Sequence, residues 1–169
     1  MGFMAAGLIA EQMGRNLSAS PFLSTAVLAA TALSKGGSDA QKAEWLPKIA
    51  AGETLMALAV DEGRKHNPNN IEMSASRSGN GFKLSGSKAM VVDGHIADQI
   101  IVAANTGEGV TLFLVDAKAK GLETNRTDMI DSRNAARLEF NDVEVNADAV
   151  IGDVDGGMDA LNAALNAGR

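Results

Sequence analysis

Asp61 and Glu62 stand side by side where the apolar run Leu55–Val60 gives way to a loop that also contains His66. A carboxylate pair on a loop carried by β structure is a candidate for proton transfer. The same two side chains also suit a solvated strand end, the reading that local sequence prefers. Lys88 reads as a surface or phosphate-facing charge, and Trp45 as a core anchor. His66 and His95 have no carboxylate or second histidine at metal-ligand spacing, so each reads as a solvated loop histidine. Asp153-Val154-Asp155-Gly156 resembles the start of a calcium loop, but its glycine falls early and no terminal glutamate follows. Gly79-Asn80-Gly81 is too short for a phosphate-binding loop and precedes no helix. No metal site and no catalytic side chain is assigned from these patterns.

Composition narrows the classes further. The chain of 169 residues is 46% hydrophobic and 21% charged, a balance that suits a folded core rather than disorder. A net charge of −6 without a basic face argues against a nucleic-acid partner. With no cysteine there are neither disulfides nor thiolate metal sites, and the expected location is the cytoplasm. Met1–Ala10 is apolar but has no basic flank, and Glu11 and Arg15 follow at once, so neither a signal peptide nor a membrane span is expected. Nothing else approaches about 18 unbroken apolar residues.

The elements that must position these residues fall into three parts. Residues 1 to about 50 read as helical, with Phe3, Met4, Leu8, Ile9 and Met13 on one broad face and a stop at Gly14. Ser20-Pro21 reads as an N-cap and first helical position for a helix Phe22–Leu33 that ends at Gly36-Gly37. Ser38-Asp39-Ala40-Gln41 matches a capping box, opening a helix that is expected to end before Pro47. Beyond Gly52 come short strand candidates: Thr54–Val60, Glu72–Arg77, Phe82–Ser85, Met90–Val92, Gln99–Ala104, Val110–Val115 and Ala136–Phe140. Asp153–Gly157 reads as a flexible joint, after which Met158–Ala167 returns to helix and is cut off in mid-pattern at Arg169.

Within this layout the stretch Gly81–Thr106 stands out. Asn80-Gly81 suits a hairpin turn. Phe82–Ser85 alternates as a half-buried strand, Gly86 interrupts it, and Met90–Val92 resumes it. Gln99–Ala104 is apolar and β-branched, as for a strand covered on both faces. A glycine between two strand pieces lets a backbone or ligand approach closely, so a flat molecule could lie across this sheet.

Lys42–Glu53 (KAEWLPKIAAGE) with Leu55–Glu62 (LMALAVDE), Gly81–Asp98, and Asp131–Gly152 (DSRNAARLEFNDVEVNADAVIG) together resemble the acyl-CoA dehydrogenases in order and spacing along almost the whole chain. The resemblance implies an α+β fold: 1–52 the end of an N-terminal helical domain, 53–152 an antiparallel β-barrel-like middle domain, and 153–169 the start of a C-terminal helical domain. It implies FAD as cofactor, an acyl-CoA thioester as substrate, a protein electron acceptor, and a homo- or hetero-oligomer. By position, Ala59, Val60 and Asp61 would face the flavin pyrimidine edge, and Met90, Val91 and Val92 its ring face and N5 region. Asn67, Asn166 and Arg169 would fall on the substrate side. Asp61 stands where the family has threonine, Met90 where it has an aromatic, and Val92 where it has a hydroxyl donor. The catalytic carboxylate of most members lies in a bundle outside this chain, and Gly168 stands where a minority carry it. Two other readings accompany this one: a non-catalytic partner subunit of a heteromeric acyl-CoA dehydrogenase with weak or no flavin binding, and a structural module that kept only the barrel.

Overall fold

Alternation along two strands explains the layering of the molecule. Met56, Leu58 and Val60 pack towards the helices, whereas Ala57 and Ala59 between them point into the sheet's own interior. The neighbouring strand repeats the pattern, with Ile101 and Ala103 on the helical side and Ile100, Val102 and Ala104 inside. Both strands are thus covered on both faces, as the apolar run 99–104 implies. The computed structural model describes residues 2–131 and 133–169. Met1, from the apolar N-terminal run, and Ser132, within the 131–152 motif, lie outside the described residues.

The chain begins with α1 (Phe3–Arg15), a π-helical stretch (Phe22–Ala29) that runs into α2 (Ala30–Gly36), and α3 (Asp39–Ala51). Eight strands follow: β1 (Met56–Ala59), β2 (Ser74–Ser78), β3 (Gly81–Val92), β4 (Gln99–Asn105), β5 (Val110–Asp116), β6 (Leu122–Asp128), β7 (Asn134–Val145) and β8 (Val150–Ile151). A last helix, α4 (Met158–Ala167), lies where the sequence pattern places it. The sheet runs β6-β7-β3-β2-β4-β5-β8, with β1 paired parallel to β4 and most other neighbours antiparallel. The α+β class implied by the sequence therefore holds.

Several local expectations are corrected. Ser20 caps nothing. Pro21 precedes a wide π-helical stretch in which the Ser24 hydroxyl lies within bonding distance of the Pro21 carbonyl and of Asp93, and the Thr25 hydroxyl bonds to both backbone groups of Met56. The capping box at Ser38 and Gln41 forms as read, but α3 continues through Pro47 to a left-handed C-cap at Gly52. Leu46 and Ile49 flank the proline and pack on the helix–sheet core, which offsets the hydrogen bond that Pro47 cannot donate. The β2–β3 hairpin turns on Gly79-Asn80, with Ser78 opposite Gly81 and φ +58 at Gly79, the pattern of a II′ turn. Gly81 itself lies in β3, where a Cβ would collide with the Val145 carbonyl oxygen.

Gly86 does not interrupt the strand. Gly81–Val92 is one element that meets β7 through two register shifts, at 84–86 and 88–91. The first shift places its extra residue on β7, where Asp142 has φ +54, and the second places its extra residue on β3, where Met90 has φ +53; each bulge bends its strand. What approaches Gly86 closely is Met73 of the same chain, 3.0 Å from the position a Cβ would take. Nor is 153–157 a free joint: Asp155 N–H donates to Thr111 Oγ1 at 2.8 Å, and Gly157 N–H to the Val110 carbonyl at 2.8 Å. Strand β6, Leu-Glu-Thr-Asn-Arg-Thr-Asp, has no apolar alternation to betray it, because its residues are mostly exposed.

Candidate functional site

Two chain segments remote in sequence, 59–62 and 88–92, are brought side by side at the end of β1. Ala89 N–H donates to the Asp61 carbonyl at 2.7 Å. Lys88 Nζ donates to the Val60 carbonyl at 2.9 Å and to Glu62 Oε1 at 2.7 Å. The cause lies in the bulge of β3, at the second register shift. Between Lys88 and Val91 the register with β7 slips, Met90 takes φ +53, and Ala89 turns its N–H to Asp61.

The bulge also sorts the side chains. Met90 is 45% exposed and Val92 40%, while Val91 between them is buried in the sheet interior. Ala59 and Val60 are buried as well, backbone included. Asp61 keeps partial exposure, but its carboxylate is turned into its own loop. There it accepts the His66 Nδ1–H at 2.9 Å and the Asn67 N–H at 3.0 Å. An acidic group set at a flavin edge would oppose the negative charge that reduction builds there. In this conformation that charge is shared with an imidazole and an amide.

Lys88 is not a surface charge. It is wholly buried, and burial pushes its pKa below the ordinary lysine value, against the opposing effects of the Glu62 hydrogen bond and of the Glu62 and Asp61 charges. Glu62 is not a solvated strand end either. Besides Lys88 it accepts the N–H groups of Glu72 and Met73, each at 2.9 Å. The strand alternation carried the signal for Lys88: it shares the even-numbered face of β3 with the buried Phe82 and Leu84, although Gly86 between them is exposed. No local pattern points to Glu62 as its partner.

The remaining candidates lie apart. Asn67 lines a shallow cleft of about 350 Å³ with Asp61, Arg64, Lys65, Asn70 and Glu72. Asn166 and Arg169 are exposed at the end of α4 and bond to each other at 3.0 Å. A Cβ on Gly168 would stand 2.7 Å from Leu28 Cδ2, so a larger side chain there requires Leu28 to move. Trp45 lies at the margin of the helix–sheet core with Lys48 4.4 Å over its ring. His95 is half-buried rather than solvated, because its turn is pinned by Gly94 N–H to Val91 O and Ile96 N–H to Asp93 O. Its Nδ1 finds no partner among the described residues. No described helix is long and apolar enough to cross a membrane.

The decisive comparison is with family models. "Acyl-CoA dehydrogenase, middle domain" matches residues 56–143, and "Acyl-CoA dehydrogenase, N-terminal domain" matches residues 1–53. The chain belongs to the acyl-CoA dehydrogenase family. Acyl-CoA dehydrogenase FadE27 of Mycobacterium tuberculosis is 30% identical over 143 residues, which is 85% of this chain and 37% of FadE27. A glutaryl-CoA dehydrogenase from Mycobacterium smegmatis, solved in complex with FADH2, superposes with a TM-score of 0.80 at 27% identity. The match covers 86% of this chain and 39% of that one. The Tcur3481-Tcur3483 steroid ACAD gives a TM-score of 0.80 at 25% identity, over 87% of this chain and 40% of that one. This chain thus spans about two fifths of the length of these acyl-CoA dehydrogenases.

Met90 and Val92 present an apolar face at the surface. Two exposed apolar side chains on one strand, beside the partly exposed Asp61, suit a flat ring system. They supply neither an aromatic ring nor a side-chain hydroxyl, so polar contacts to a flavin fall to backbone N–H groups.

Proposed function

We propose that this chain is the N-terminal and middle portion of a flavin-dependent acyl-CoA dehydrogenase that oxidises an acyl-CoA thioester between its α and β carbons. The observation that carries this reading is the meeting of segments 59–62 and 88–92, which gathers the positions that the family resemblance assigns to the flavin. When bound, FAD supplies the acceptor for the β-hydrogen, which leaves as hydride. Met90 and Val92 form the apolar seat, with sulfur packing in place of an aromatic stack. The backbone of Ala59, Val60, Asp61 and Val91 borders it. His66 and the Asn67 N–H hold the Asp61 carboxylate away from the pyrimidine edge. Asn67, Asn166 and Arg169 are assigned to the acyl-CoA side.

The same reading divides the chain into a helical part (1–52), a β domain (53–152) and the start of a second helical part (153–169). It leaves the base that removes the α-proton to a carboxylate outside residues 1–169, so this portion does not turn over alone. A protein electron acceptor and an oligomeric assembly complete the expected system.

A second reading has a specific basis. Asp61, Met90 and Val92 together remove a neutral hydroxyl, an aromatic ring and a second hydroxyl from the flavin positions. That pattern suits a partner subunit of a heteromeric dehydrogenase, with weak or absent flavin binding and a role in assembly. The two readings separate on the purified complete protein. A catalytic chain carries FAD whose visible absorbance is bleached by an acyl-CoA under anaerobic conditions. A partner subunit is colourless alone and supports bleaching only when combined with a second chain.

A further inference from the structure

We propose that Lys88 and Glu62 are positioning residues: they clamp the loop 60–63 to β3 and so set the geometry of the two segments that the proposed function places against FAD. The inference rests on that reading for its flavin component and on the clamp's own geometry for the rest. Lys88 is fully buried, yet it carries an ammonium with two acceptors, the Val60 carbonyl and Glu62 Oε1. Replacing a buried ion pair by well-packed apolar side chains is often neutral or stabilising, so stability alone does not account for a charged group here. What the pair provides is direction. The three hydrogens of an ammonium and the two oxygens of a carboxylate fix where their partners lie.

The partners span the candidate site. Glu62 reaches forward to the N–H groups of Glu72 and Met73, closing the loop that begins at Asp61. Lys88 reaches across to the end of β1. One residue later the ladder between β3 and β7 slips, and Ala89 donates to Asp61 instead. The sheet ladder therefore does not hold 60–62 beside 88–90. The clamp and the single Ala89–Asp61 bond do. Met90 and Val92 reach the surface just beyond this point, so a loosened clamp displaces the apolar seat relative to the Asp61 edge.

The test uses Glu62→Gln in the complete protein, because a glutamine amide nitrogen cannot accept the Glu72 N–H that Glu62 Oε2 accepts. Lys88→Met is the second variant. Amide hydrogen exchange without flavin is expected to quicken by about tenfold or more at Glu72, Met73 and Ala89, with Ile101 and Val102 of β4 unchanged. FAD dissociation constants, read by flavin fluorescence, are expected to rise about tenfold in the same variants. Exchange that is unchanged at those three amides, or that quickens equally in β4, overturns the clamp. Local loosening with an unchanged FAD affinity overturns its positioning role. A wild-type protein that takes up no FAD, but shows the local exchange pattern in the variants, leaves the clamp standing and removes the proposed catalytic function instead.

Discussion

Lys88 Nζ lies 2.7 Å from Glu62 Oε1, across 26 positions of sequence, with the lysine side chain wholly buried and the glutamate 18% exposed. The pair differs from Arg15–Glu11 and Lys48–Glu44, in each of which both partners are more than 40% exposed and the pairing contributes little. Removing one member of a buried pair leaves the other with an uncompensated charge. Lys88→Met is expected to cost about 3 kcal/mol of stability, the lower end of the range for broken buried pairs, since Glu62 keeps two backbone donors. Urea unfolding followed by circular dichroism measures it.

The same burial predicts a pH dependence. Because the folded-state pKa of Lys88 is lowered, the unfolded chain binds a proton here that the folded chain releases over an alkaline window. That window lies between the depressed value and the ordinary lysine range. Stability rises with pH wherever the unfolded state binds more protons, so the Lys88 contribution grows on going upward through the window and is least favourable below it. The stability of wild type minus that of Lys88→Met should therefore increase as pH is raised through that window. A difference that is flat or falls with pH would contradict the assignment.

Asp61 and threonine place different charge at one position. Asp61→Thr removes a carboxylate while keeping an oxygen able to accept the Asn67 N–H. It is expected to tighten FAD binding by about threefold to tenfold, or roughly 1 kcal/mol. Titration of flavin fluorescence with the apo-protein checks this, and unchanged affinity would mean that Asp61 does not border the flavin.

Gly86 offers a test of the first bulge. It holds φ +141, and a Cβ there would stand 3.0–3.3 Å from Met73 side-chain and backbone atoms. Gly86→Val combines backbone strain with crowding and should cost about 2–4 kcal/mol. Thermal unfolding measures it.

The helices and the central strands were legible because their signals are local. The Ser38–Gln41 capping box, the α4 span and the β-branched run at 99–104 each declare themselves within a few residues. Strand β6 was not legible, because a polar strand on a sheet edge buries nothing that would set a period. The register shifts along β3 were hidden for another reason. A glycine that breaks a strand and a glycine that bends it look the same until the approaching residue, Met73, is known. At the candidate site, position 61 and positions 90–92 could be named from the family resemblance. The Lys88–Glu62 and His66–Asp61 contacts could not, because both partners must be placed in space before either pairing means anything.

The central claim is that flavin rests on Met90 and Val92 beside Asp61, and binding-induced protection tests it most directly. Hydrogen exchange of the complete protein is compared with and without FAD, in wild type and in Met90→Trp. The account predicts slowed exchange in peptides covering 59–62 and 88–92 when FAD is added, with higher flavin occupancy in Met90→Trp. FAD that binds while both segments exchange as before, with no gain from the indole, would contradict it.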